Sequence, residues 1–83
     1  MKYRKKPVVV EAAVWDGIHV DPLWELDPEH TQPFTLDGAG HVTVRTIEGP
    51  LAASPGDWII KGVKGEFYPC KPDIFAMTYE VAE

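Results

Sequence analysis

Apolar and polar positions alternate through residues 2–15, with Val8, Val10, Ala12 and Val14 on one side and Val9, Glu11, Ala13 and Trp15 on the other. Successive side chains of a strand point to opposite faces, so this stretch predicts a strand. Both of its faces are mostly apolar, which predicts a central strand rather than an edge. Pro7 fits near its beginning, where a missing N–H costs little, and Asp16-Gly17 supplies the turn that ends it.

Residues 17–40 lose the alternation. Pro22, Pro28 and Pro33 forbid a long helix there. One short helix is predicted, with Asp21 as its cap, Pro22 in its first turn, and Leu23, Trp24 and Leu26 following. Asp27 stands before Pro28 and so ends it. Trp24 and Phe34 are expected to pin the segment onto the sheet.

Alternation returns at residues 41–48 through Val42 and Val44, with Ile47 out of phase and suggesting a bulge or a strand with two covered faces. A short segment at 51–54 leads to Pro55-Gly56, the residue order of a type II turn. Residues 58–61 then predict a strand, 62–65 a hairpin loop and 66–70 the returning strand. Pro72 and Asp73 open a helical turn through Phe75, after which Met77, Tyr79 and Val81 alternate as a last strand. The expected fold is mainly β within the α+β class. It is a small curved antiparallel sheet or partly open barrel of about six short strands with one or two helical turns. One domain spans residues 1–83: a first strand (1–16), a variable loop with a short helix (17–40), and a β-hairpin core (41–83).

Size and charge narrow the partners. A domain of 83 residues buries only roughly 60–65% of its unfolded surface, so a homo-oligomer is expected to bury more. No apolar run approaches the length of a membrane span, and Glu11 interrupts the apolar stretch after the basic start, so no signal peptide and a cytoplasmic setting are expected. The net charge of −5 argues against general nucleic-acid binding, which draws its affinity from Lys and Arg on phosphates. Lys2, Arg4, Lys5 and Lys6 crowd the start, whereas residues 7–44 hold seven acidic side chains and no Lys or Arg. Such asymmetry lets the basic segment of one copy meet the acidic face of another, or simply keeps a solvated surface.

Two clusters carry candidate chemistry. In the loop at 61–65, Lys61 and Lys64 stand beside Gly62 and Gly65, where backbone N–H groups and ammonium charge could hold a phosphate. A plain glycine hairpin with solvated lysines is the alternative. Along the returning strand Glu66, Tyr68 and Cys70 share a face opposite Phe67 and Pro69, with Lys71 and Asp73 at the following corner. A ring to stack on a base and acids for its edge would serve a nucleotide; ordinary cross-strand packing is the alternative. Cys70 is the single cysteine and reads as a small buried thiol, not a nucleophile. His19, His30 and His41 match no metal-ligand spacing, so neither a metal nor a cofactor is expected.

MKYRKKPVVVEA at 1–12 and IEGPLAASPGDWIIKGVKGEFYPCKPDIFAMTYE at 47–80 together resemble a family of short bacteriophage and prophage proteins to which no activity is attached. The resemblance covers a little over half the chain, and residues 17–40 depart from it. It implies a phage gene product working in the cytoplasm of an infected or lysogenic bacterium, and it carries over no catalytic residue. The leading expectation is a non-catalytic accessory or counter-defence protein that sequesters a nucleotide-like anion. Trp58, Lys61, Lys64, Gly65, Glu66, Tyr68, Lys71 and Asp73 would bind it. The second is a protein–protein inhibitor or assembly module that contacts a host protein through Trp24 and Phe34. The third is a minor virion component.

Overall fold

Residues 1–4 and 6–81 are described by the computed structural model. Six short strands form two three-stranded antiparallel sheets, and two short helices accompany them. The strands are β1 (Glu11–Val14), β2 (Phe34–Leu36), β3 (Val42–Thr46), β4 (Gly49–Ala53), β5 (Trp58–Lys61) and β6 (Phe67–Cys70). The helices are α1 (Asp21–Leu26) and α2 (Pro72–Thr78). The first sheet has the order β1-β5-β6 and the second β2-β3-β4, and the two do not close into a barrel.

The middle strand of each sheet holds its most buried residues, as a neighbour on each side favours. Ile59 and Ile60 in β5, and Val42 and Val44 in β3, are all fully buried. The core lies between the sheets. Ile59 and Phe67 from the first sheet meet Val42, Val44 and Ala53 from the second, with Phe34 set edge-on to Phe67 at 5.2 Å. Leu23 and Leu26 of α1 close one side.

Trp15 bolts the sheets together. Its ring is 2% exposed, its indole N–H donates to the Gly40 carbonyl at 3.0 Å, and its backbone bonds both Asp57 and Gly56. That last contact lies in the turn at 54–57, where Asp57 N–H donates to the Ser54 carbonyl at 3.0 Å. Gly56 has φ of +95°, the left-handed value that the third residue of a type II turn requires.

Four expectations are corrected. The predicted central strand at 2–15 pairs only over Glu11–Val14 and is an edge, because β5 turns away at Gly62 and leaves residues before Glu11 without a neighbour. Phe34–Leu36, too short to show a period, is an unforeseen strand on β3. Ile47 is 86% exposed at the β3–β4 turn, so no bulge is needed to explain its phase. The last strand does not form: α2 continues through Met77 to Thr78, since nothing after Pro72 interrupts the helix. Smaller shifts occur at α1. Val20 rather than Asp21 is its cap residue, and Leu23 and Leu26 pin it while Trp24 stays 64% exposed.

Candidate functional site

Strand alternation in the β5–β6 hairpin sorts the eight expected ligand-binding residues. Lys61 faces Phe67 across the ladder at the loop end, whereas Trp58 faces Cys70 at the other end. Three residues of extended chain separate Trp58 from Lys61, roughly 10 Å. The hairpin therefore holds two groups of side chains, not one corner.

At the loop end, Lys61, Lys64 and Gly65 line a cleft of about 460 Å³, faced by Val9, Glu11, Glu29 and Thr31. Gly62 N–H donates to the Glu66 carbonyl at 2.8 Å and Gly65 N–H to the Gly62 carbonyl at 3.0 Å. These two bonds close the loop and leave the N–H groups of Val63 and Lys64 out of its ladder. Among the described residues neither Lys61 nor Lys64 is in an ion pair. Glu66 folds back so that its carboxylate fills the space a Cβ on Gly62 would need. On the far side of the loop, Lys64, Gly65, Glu66 and Tyr68 border a larger groove of about 890 Å³, mostly apolar, opposite Ile47 and Leu51 of the β3–β4 hairpin.

At the other end the polar groups are already occupied. Lys71 Nζ lies 2.9 Å from Asp57 Oδ2, and that buried carboxylate also accepts the Ser54 N–H at 2.9 Å. Lys71 thus ties the start of α2 to the 54–57 turn. The Trp58 ring is stacked on Phe75 at 4.0 Å and 6°, and Phe75 on Tyr79 at 5.0 Å. Tyr68 meets Tyr79 hydroxyl to hydroxyl at 3.3 Å. Burial first, then Tyr79, push the Tyr68 phenol well above its usual range. Burial, followed by the charges of Asp57 and Asp73, likewise pushes the Cys70 thiol up, so it is protonated at neutral pH and a poor nucleophile. Asp73 is exposed on α2.

Trp24 and Phe34 do come together. They border a third cleft of about 450 Å³ with Asp27, His30 and Gln32. Asp27 organises it: one carboxylate oxygen accepts the N–H and hydroxyl of Thr31, and the other accepts the N–H of Gln32, all within 2.9 Å. Burial alone would raise the Asp27 carboxyl; those donors outweigh it and hold it below its ordinary value. The loop it holds contains two non-glycine residues in the left-handed region, His30 at φ 56° and Gln32 at φ 55°. Such backbone persists only where its surroundings fix it. A side chain that accepts several N–H bonds just after a helix is recognisable as an Asp at a turn, so Asp27 had a legible signal. Glu29 and Thr31 had none, because only the fold brings them opposite Lys61.

Among the described residues no three or more His, Cys, Asp or Glu side chains gather as a metal site. His19 Nδ1 sits 2.6 Å from Asp16 Oδ2 in an exposed pair. Among the described residues no helix is long and apolar enough to cross a membrane. Comparison of the chain with models of protein families, with curated proteins and with solved structures finds no match.

Proposed function

We propose that this chain is a non-catalytic binding protein that captures a small nucleotide-like anion in the cleft beside the β5–β6 loop. The observation that carries the reading is the placing of Lys61 and Lys64, neither in an ion pair among the described residues, on one cleft of about 460 Å³. Phosphate oxygens would be met by these ammonium groups and by loop N–H groups. Glu11 and Glu29 stand opposite, where carboxylates accept hydrogen bonds from amino or hydroxyl groups of the same ligand. This places the ligand on one end of the hairpin and leaves Trp58 and Lys71 to structural work. The resemblance to phage proteins suggests that such capture would withhold a signalling or metabolic nucleotide in a bacterial host.

Titration calorimetry with linear and cyclic nucleotides, beside inorganic phosphate, tests the proposal. Saturable heat is expected, weakened at least tenfold in Lys61→Gln/Lys64→Gln, since charge-assisted bonds contribute roughly 1.5–3 kcal/mol each. No heat with any nucleotide at millimolar concentration removes the reading.

One observation favours a second reading, a protein-binding module. Trp24 is 64% exposed at the rim of a cleft whose loop is held in left-handed backbone. Exposed aromatic side chains beside fixed polar groups are common anchors of protein interfaces. A stoichiometric partner recovered from host lysate by the parent chain, and lost with Trp24→Ala, supports it. Phe34→Ala is no use for this purpose, because Phe34 packs on Phe67 and its loss would loosen the core.

A further inference from the structure

We propose that two copies of this chain join through the open edge of β1, antiparallel and about a two-fold axis near Val9, so that the two first sheets become one six-stranded sheet. This goes beyond the ligand-binding reading and does not depend on it.

The first observation is an unused strand. β1 pairs with β5 on one side and with nothing on the other among the described residues. The alternating pattern continues upstream through Val10, Val9 and Val8, yet those residues lie in no strand, with Val8 51% and Val9 76% exposed. Valine is among the residues best suited to a pleated, half-buried surface. An unpaired row of N–H and C=O groups carrying such side chains is a template for another chain.

The second observation is charge, and it selects the occupant. A groove of about 370 Å³ runs along the open edge between Glu11–Ala13 and α1, bordered by Pro22, Glu25 and Leu26. Its charged lining is acidic, and no Lys or Arg occurs between residues 7 and 44 to balance it. The segment just before β1 carries the opposite sign, with Lys2, Arg4, Lys5 and Lys6. Antiparallel pairing centred on Val9 places Lys6 of the second copy beside Ala12 and its Arg4 beside Val14. The basic residues then run along the groove past Glu25, twice over, because a two-fold contact is self-complementary. The same pairing covers Val8, Val9 and Val14.

Sedimentation of the full chain over a concentration series tests this. Twice the chain mass is expected for the parent, and a single chain mass for Val8→Pro: Trp15 turns its N–H toward Asp57, so by alternation Val8 turns its own toward the open edge, and proline removes it from the joined ladder. Val8 and Val9 take no part in the β1–β5 ladder, so their replacement leaves the fold in place, and an unchanged melting curve at dilution checks that. Val9→Cys in a Cys70→Ser background is expected to cross-link on mild oxidation, since antiparallel neighbours stand about 4.5–5.5 Å apart at Cα, within disulfide reach. Glu25→Lys, and added salt, should each weaken the dimer roughly two- to fivefold. A single chain mass for the parent at every concentration overturns the proposal. So does a doubled mass that survives Val8→Pro, or a Val9→Cys chain that stays uncross-linked.

Discussion

The two faces of the first sheet are built from the same strands and held in different ways. On the inner face Ile59 and Phe67 enter a core shared with the second sheet, α1 and Trp15. On the outer face Trp58 stacks on Phe75 of α2, a helix of seven residues with no buried side chain of its own, and Tyr68 meets Tyr79 just past that helix. The inner face is sealed by two layers of secondary structure; the outer face is sealed by a run of stacked rings. A chain of this length has one core's worth of apolar residues, and the second face makes do with aromatic area. The difference teaches that full burial of a side chain does not by itself say how firmly its surroundings are fixed. Ile59 and Ile60 are adjacent and equally buried, yet only Ile59 belongs to the shared core.

The largest expected effect breaks or keeps that contrast. Ile59→Ala should lose about 3–5 kcal/mol, the upper part of the range for such truncations, because the layers around it cannot collapse into the hole. Ile60→Ala should lose about 2 kcal/mol, since Ile60 lies outside the shared core and its neighbours can close on the hole. Urea denaturation of both variants decides it, and equal losses would end the comparison. Phe75→Ala comes next. It should cost about 1–2 kcal/mol by removing the stack on Trp58. Trp58 fluorescence should shift toward that of a solvated indole, while slow amide exchange at Val42 and Val44 stays as in the parent.

A smaller effect concerns the loop around Asp27. Its carboxyl is held below the ordinary 3.8, so it binds fewer protons folded than unfolded near that pH. Its contribution is therefore present above the ordinary value and is lost as pH falls through the lowered one. The amide resonances of Thr31 and Gln32 should move over that acid window, ahead of those of β3. Resonances that stay fixed until global unfolding would contradict the assigned cap. The smallest effect belongs to the exposed pair at the β1 exit. Hydrogen bonds from His19 and Ile18 bring Asp16 down to about 2, and the Asp16 carboxylate raises His19 above 6.5. The His19 share is fully present below 6.5 and lost as pH rises through the raised value. A histidine ring titration by NMR should give a pKa above 6.5 that falls back in Asp16→Asn.

Legibility followed the range of the interactions. The β5–β6 hairpin was readable because Pro55-Gly56 and the glycines at 62 and 65 mark its turns, and because four apolar or amphipathic residues fill each arm. The inward place of Phe67 followed from alternation alone. The edge status of β1 was not readable: two apolar faces suggest a central strand, but none of Glu11–Val14 is buried and, among the described residues, the strand is paired only on its β5 side. The last strand failed because Met77, Tyr79 and Val81 alternate for reasons that do not concern a sheet; Tyr79 serves the stack with Phe75. In the candidate site, Lys61, Lys64 and Gly65 could be grouped because they share a loop. Glu29 and Thr31 could not, since they stand 32 and 30 positions from Lys61 in sequence.

The order of residues settled local features: where turns fall, which residues of the β5–β6 hairpin share a face, and that acid and base are kept apart along the chain. Those follow from backbone conformations and side-chain periods that a few neighbouring residues settle. Only the tertiary structure decided that Trp58 and Lys71 are spent on holding α2, that Lys61 and Lys64 look across a cleft at carboxylates, and that β1 keeps an open edge. Each of these depends on which distant segment arrives beside it, and burial against a neighbour has no record in the order of residues.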